Sequence, residues 1–452
     1  MDNLVNLTPF AASAFPSMDR EDEELLVVVV AGRFRLPRAG IGAVHEVVPH
    51  ERQTSVVIAD EYWGDPADSS LRYEGQSAYR KPGTDVQLNG HAWAPRGRPT
   101  TEVRLAVQVG AAGAAAAVFG DRRWSRGILG LRPTPPKPFE RIPIRHEYAF
   151  GGRSGPASAR IMAASERNPV GRGLVVSPSE SNDRPLPNFE DAAALIRDVN
   201  DLPAPVGFGP IARHWMPRRA HAGTYDEAWI RTRAPLWPQD LNDRFFCSAP
   251  STLCVMPHLL GGEAVAIVGA HPDGDLHFTL PRFRLSVKFI LQRRTVRRAA
   301  VLDGLILEPD EGSFTMIWRC GLRVGRDLAS IESTIVRLLE PSEAFRLSGL
   351  LSAPPRSPLN CVLVTKTLRS MALQSAVQPS PSTLLLSSQT SPAAALMVPS
   401  PQDGSWQLAS QVGVWAPLSS QVSSGALVVP SPQNATSTQP GAQGSPGGFS
   451  GE

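Results

Sequence analysis

Leu276-His277-Phe278-Thr279-Leu280 and, after Pro281-Arg282, Phe283-Arg284-Leu285-Ser286-Val287-Lys288-Phe289 alternate large apolar residues with polar ones. A two-residue period places one set of side chains on each face of a strand. Val301-Leu302, then Asp303-Gly304, then Leu305-Ile306-Leu307 reads as a hairpin, because Asp-Gly between apolar runs favours a two-residue turn. Pro309-Asp310-Glu311-Gly312 turns the chain again into Phe314-Thr315-Met316-Ile317-Trp318-Arg319. The expected product is an antiparallel meander with one face to cover.

The same reading extends outward. Leu25-Leu26-Val27-Val28-Val29-Val30 is short and β-branched, a strand buried on both faces. Val103, Leu105, Val107 and Val109 alternate with Arg104, Ala106 and Gln108, and Val86 and Leu88 precede a kink expected at Gly90. Helix is scarce. The best candidate spans 327–339, where Leu328, Ile331, Ile335 and Leu338-Leu339 recur at helical spacing, and a short one is expected after Asn188, over Glu190 to Ile196. Pro 43 is about twice average usage, which argues against a helical protein. The fold class expected is mainly β: antiparallel sheets with long Gly/Pro-rich loops, few short helices and a disordered C-terminal tail.

That tail begins near Met371, beyond which Lys, Arg and His vanish and Ser, Pro, Gln, Ala and Gly dominate. Such composition rarely buries enough surface to offset chain entropy. An imperfect duplication runs through it, Met397-Val398-Pro399-Ser400-Pro401-Gln402 against Val428-Val429-Pro430-Ser431-Pro432-Gln433. The expected organisation is a domain over 1–345, a linker over 346–370 and a low-complexity tail over 371–452.

The net charge of +3 is too small to imply nucleic acid. No apolar run near the start approaches the ~20 residues of a membrane helix, and no signal peptide is evident, so a cytoplasmic protein is expected. Cys247, Cys254, Cys320 and Cys361 form no Cys-x-x-Cys and read as reduced, mostly buried thiols. His45-Glu46-Val47-Val48-Pro49-His50 has the wrong spacing for a zinc-protease helix, and Pro49 would break one. Cys247, Cys254, His214, His221 and His258 are too loosely spaced for a zinc set, and incidental clustering is the expectation. No nucleophile elbow, phosphate loop or dinucleotide fingerprint occurs. His91, His146-Glu147, Asp226 and Glu263 could serve acid–base chemistry but are more simply polar groups bonded into turns. No catalytic residue, metal or cofactor is expected.

Between Lys81 and Pro250 the chain is a series of compact motifs: Lys81-Pro82-Gly83-Thr84-Asp85-Val86, Gly90-His91-Ala92-Trp93-Ala94-Pro95, Gly120-Asp121-Arg122-Arg123-Trp124, Ala149-Phe150-Gly151-Gly152, Asn168-Pro169-Val170-Gly171-Arg172-Gly173, Pro205-Val206-Gly207-Phe208-Gly209-Pro210 and Ala222-Gly223-Thr224-Tyr225-Asp226. With Ser69-Ser70-Leu71-Arg72-Tyr73-Glu74, Leu186-Pro187-Asn188-Phe189-Glu190, Phe245-Phe246-Cys247-Ser248-Ala249-Pro250 and Trp318-Arg319, this series resembles the bacterial family known as domain of unknown function 2169, from about Asn3 to about Arg319. The resemblance implies a cytoplasmic accessory protein of type VI secretion, an adaptor or chaperone that helps load a toxin effector onto a VgrG or PAAR spike protein. It implies no catalytic residues. A hydrolytic or metal-dependent enzyme using His91, His146 and Glu147, and a structural component exported with the spike, are the alternatives. Aromatics beside arginines are common interface anchors. On that ground Trp93, Arg96, Arg98, Arg122, Arg123 and Trp124 are the candidate partner-binding residues. The bland reading is that the loop aromatics Trp93, Trp124, Phe139, Phe150, Phe208, Trp215, Trp229 and Trp237 anchor loops by burial.

Overall fold

The computed structural model describes residues 3–39, 47–128, 130–154, 163–175, 181–325 and 327–339, together with the backbone of 397–399 and 406–408. The chain divides into two units, Met1–Val377 and Gln378–Glu452. In the second, Met397–Pro399 pairs antiparallel with Trp406–Leu408. The expected domain end and linker lie outside the described residues, as does the expected disordered tail apart from these two strands.

Three sheets of four to six strands dominate the described part of the first unit, beside five two-stranded ribbons. The largest has six strands in the order Cys254–Val255, Thr84–Leu88, Val301–Glu308, Ser313–Gly325, Glu24–Arg35 and Ala11–Met18. All its pairings are antiparallel except that between Thr84–Leu88 and Val301–Glu308. The second runs Phe189–Glu190, Ala112–Phe119, Glu102–Val109, Ala264–Val268 and Leu276–Thr279, antiparallel throughout. The third runs Leu4–Asn6, Ile331–Leu338, Leu285–Leu291 and Thr295–Ala299. Among the described residues the only α-helix is Glu227–Thr232, capped by Asp226, whose carboxylate accepts from the Trp229 N–H at 2.8 Å.

The long strand Glu24–Arg35 shows why the large sheet sits centrally. Leu26, Val28, Val30 and Phe34 enter one core, with Leu105, Val107, Val265, Phe278, Val287, Phe289 and Val336 from the other two sheets. The alternate residues Leu25, Val27, Val29 and Ala31 enter a second core with Ile306 and Ile317, covered by Tyr79, Leu241, Phe245 and Phe246. An unbroken β-branched run suits this two-sided burial.

Four expectations are corrected here. The meander needs cover on both faces, since Phe314 to Cys320 is buried without interruption. Asp303-Gly304 is not a hairpin turn: Val301–Glu308 is one strand with a bulge between Leu302 and Gly304. Asp303 is 0% exposed there, and its carboxylate accepts from Arg319 Nε at 2.6 Å. The segment 327–339 is not a helix. After a single 3₁₀ turn at Leu328–Ser330 it becomes the strand Ile331–Leu338, held between Leu4–Asn6 (parallel) and Leu285–Leu291 (antiparallel). No helix follows Asn188, because Phe189–Glu190 adds to the second sheet and Glu190 then caps a turn by accepting from the Ile196 N–H.

Candidate protein-binding surface

Most motif residues are spent on joining loops. Gly120, Ala149-Phe150-Gly151-Gly152, Asn168-Pro169-Val170-Gly171 and Leu186-Pro187-Asn188-Phe189-Glu190 meet in one knot. Asn168, 0% exposed, donates through its side-chain amide to the carbonyls of His146 (2.8 Å) and Phe150 (3.0 Å). Asn188 donates to the Phe119 carbonyl at 2.9 Å, and its backbone N–H to Tyr148. Gly120 is required by proximity, since a Cβ there would lie 1.7 Å from the Lys137 carbonyl oxygen. Gly151 has φ +145° and a Cβ position 2.3 Å from the Asn168 carbonyl oxygen.

A second knot is ionic. Arg319, 2% exposed, donates to Asp303 and to the carbonyls of Gln76 and Ala78, each at 2.8 Å, and to Gln76 Oε1 at 2.8 Å. Lys81 Nζ lies 2.7 Å from Asp85 Oδ2 and 3.4 Å from Glu74 Oε2, and Arg218 also binds Glu74. These are three cations and three anions, all buried. Burial pushes the Glu74 carboxyl up, but Lys81, Arg218 and then Arg213 outweigh it and bring it down to about 2. The Lys81 ammonium is held above its usual range by Asp85 and Glu74 against the opposing effect of burial. The sequence motifs marked Glu74, Lys81, Asp85 and Arg319 without showing that they share one centre.

The candidate residues separate into two groups. Arg122 and Trp124 are buried, 8% and 3% exposed, so the expectation that they stand on a surface is corrected. Arg122 is paired with Glu190 and donates to the Pro187 carbonyl at 2.9 Å, while Trp124 packs with Phe150, Leu186 and Ile196. Arg123, between them, is exposed and holds Asp183. Phe150, Phe208 and Trp215 are likewise buried anchors.

Trp93, Arg96 and Arg98 stand differently. Pro95, Arg96, Gly97 and Arg98 are all exposed and form a protruding 3₁₀ turn. Arg96 has φ +57°, a left-handed conformation that is uncommon for a residue with a long side chain. The base of this tip is rigid. The Trp93 N–H donates to the Gly269 carbonyl at 2.9 Å, the Ala94 N–H to Glu140 at 2.7 Å and the Arg96 N–H to Pro272 at 3.1 Å. Asp310, in the turn after Val301–Glu308, accepts from His91 Nδ1 at 2.6 Å and Trp93 Nε1 at 2.8 Å. Gly90 lets that carboxylate come close, as a Cβ there would lie 3.3 Å from Asp310 Oδ2. Those two bonds lower the Asp310 carboxyl despite its partial burial, which raises it. Arg141 lies over the Trp93 ring, 5.3 Å from its centroid. The result is a half-buried indole flanked by three exposed arginines, Arg96, Arg98 and Arg141.

On the face of the large sheet that carries Ala31, Ile306 and Ile317, beside the same turn, a cavity of about 250 Å³ is lined by Arg33, Arg72, Tyr73, Gln76, Glu308 and Glu311 among others. The Tyr73 hydroxyl donates to Glu308, and burial raises both acids. His91, His146 and Glu147 do not face one another's reach: His146 Nε2 donates to the Gly209 carbonyl at 3.2 Å, and Glu147 accepts from the Ser70 N–H and hydroxyl at 2.8 and 2.7 Å. Burial lowers the His146 imidazole. Of the Cys/His group, only Cys247 and Cys254 come together; with Asp85 they put three potential ligand atoms within 4.8 Å. The fit to a cation is poor, because Asp85 already accepts from Lys81 and from the Ser248 and Ala249 N–H groups at 2.9 and 3.3 Å. His258 is turned to the Lys81 carbonyl at 3.0 Å. No described helix is long and apolar enough to cross a membrane.

No curated protein and no solved structure matches the chain. A family model described as an uncharacterized protein conserved in bacteria (DUF2169) matches residues 21–319. That span contains both knots, the 95–98 tip and, apart from the strand Ala11–Met18, the large sheet as far as Arg319, and the chain belongs to this family.

Proposed function

We propose that the chain is a cytoplasmic type VI secretion accessory protein, an adaptor or chaperone that binds a toxin effector, or the VgrG- or PAAR-type spike protein that carries it, for loading. The observation that carries this reading is the 95–98 tip: exposed arginines around a half-buried Trp93, on a base fixed by Asp310 and by bonds to Glu140 and to the turn that holds Gly269 and Pro272. A preorganised tip loses little conformational entropy on docking, and an aromatic flanked by arginines combines apolar area with directed polar bonds. Its positive rim suits an acidic partner surface. The resemblance to secretion accessory proteins supplies the partner class.

The test is co-purification of the tagged chain with spike and effector proteins encoded beside it. Wild-type protein retains a partner. Arg98→Glu, an exposed change that leaves the melting temperature intact, loses it at least tenfold, about 1.4 kcal/mol. A folded Arg98→Glu protein with undiminished binding refutes the site, and failure of any spike or effector to co-purify refutes the function.

A further inference from the structure

Cys247 and Cys254 are both free thiols, with their sulfurs within 4.8 Å of each other. They close an eight-residue segment, Cys247-Ser248-Ala249-Pro250-Ser251-Thr252-Leu253-Cys254, which Pro250 and the 3₁₀ turn Ser251–Leu253 fold back on itself. Cys254 begins the edge strand Cys254–Val255 of the large sheet and is partly exposed, whereas Cys247 is buried beneath it. The segment abuts the ionic centre, since Ser248 and Ala249 donate their N–H groups to Asp85.

We propose that Cys247 and Cys254 are a thiol–disulfide modification site that reacts with hydroperoxides, Cys254 being the residue attacked first. Access favours Cys254, which sits on the sheet edge. The closeness of the two sulfurs favours it too, since their interaction raises the Cys247 thiol and lowers that of Cys254. The Cys254 thiolate attacks one oxygen of hydrogen peroxide. An S–O bond forms, the O–O bond breaks, and the departing hydroxide takes a proton to become water. The Cys247 sulfur then attacks the Cys254 sulfenic acid. An S–S bond forms, the S–O bond breaks, and the hydroxide released takes the Cys247 proton as a second water. Two thiols lose two electrons and peroxide gains them. The bond requires about 2.05 Å between sulfurs, so the pair must close from a separation within 4.8 Å. Cys320 is a contrast within the same fold, because burial pushes its thiol up to about 12. This site stands apart from the 95–98 tip and does not depend on the adaptor reading.

The experiment exposes the full chain to hydrogen peroxide, blocks remaining thiols by alkylation after denaturation, and maps the peptides without reduction. The expected product is a peptide pair joined through Cys247 and Cys254, with two of the four thiols still alkylatable. Cys247→Ser should stop the reaction at a Cys254 sulfenic acid that dimedone traps, and Cys254→Ser should leave Cys247 a free thiol. The proposal is overturned if both thiols stay alkylatable, if Cys254 pairs with Cys320 or Cys361 instead, or if purified protein holds stoichiometric zinc that Cys247→Ser releases.

Discussion

Replacing Arg319 with Met tests whether the buried ionic centre holds the fold together. The guanidinium is 2% exposed and makes four hydrogen bonds, one to the carboxylate of Asp303, itself 0% exposed. Methionine fills much of the same volume, so the cavity contribution is small. The cost is that of a carboxylate, two backbone carbonyls and the Gln76 side-chain oxygen left in the interior without this partner. Removing one member of a buried pair costs about 3–5 kcal/mol, against a total domain stability of about 5–15 kcal/mol. Equilibrium unfolding in urea, followed by tryptophan fluorescence, reads the loss as a lowered midpoint at constant slope. Asp303→Asn and the double variant complete a cycle. The double variant should lose less than the two single losses added, because it removes both charges and with them the cost of stranding either. An Arg319→Met protein within about 0.5 kcal/mol of wild type, or strict additivity in the cycle, would refute the reasoning.

The other expectations concern the two knots. Glu74 sits at about 2 when folded against an ordinary 4.5, so its contribution is complete above pH 4.5 and is lost as pH falls towards about 2. That contribution amounts to about 3 kcal/mol, and the acid limb of stability against pH should flatten in Glu74→Gln; an unchanged limb contradicts the assignment. Gly120→Ala should destabilise by more than about 2 kcal/mol, because backbone rather than a flexible side chain occupies the Cβ position, and a melting temperature equal to wild type would show that the 120–124 turn is not packed as described. Arg122→Glu should unfold the knot instead of merely removing a partner, since it sets a second carboxylate against Glu190 in the interior; a folded variant by circular dichroism contradicts this.

What could be read from the chain was whatever a local period decides. Leu25 to Val30 is a strand buried on both faces because β-branched residues on consecutive positions satisfy two cores at once, and Val103 to Val109 alternates as a half-buried strand should. The misreadings share a cause. Leu328, Ile331 and Ile335 have helical spacing, but Leu4–Asn6, more than three hundred residues away, supplies one flank for a strand and Thr334 and Val336 fill its buried side. Asp303-Gly304 carries the local chemistry of a turn, yet Arg319, sixteen residues on, makes an interior carboxylate affordable and straightens the chain through a bulge. Propensity is a weak prior wherever a long-range partner exists.

The same distinction divides the candidate surface. Arg122-Arg123-Trp124 and Trp93 to Arg98 look alike in sequence, each an aromatic beside arginines. Only the fold separates them: Glu190, 68 residues after Arg122, neutralises one arginine and draws the turn inward, while the 95–98 turn has its backbone tied at the base and its arginine side chains exposed. The residues that carry the family resemblance, Asn168, Asn188, Glu74, Lys81, Asp85 and Arg319 among them, are consumed by bonds between loops. They specify a scaffold that can hold an exposed turn in a strained, left-handed conformation. Arg96 and Arg98, whose side chains the scaffold leaves exposed, can therefore be exchanged without disturbing either knot.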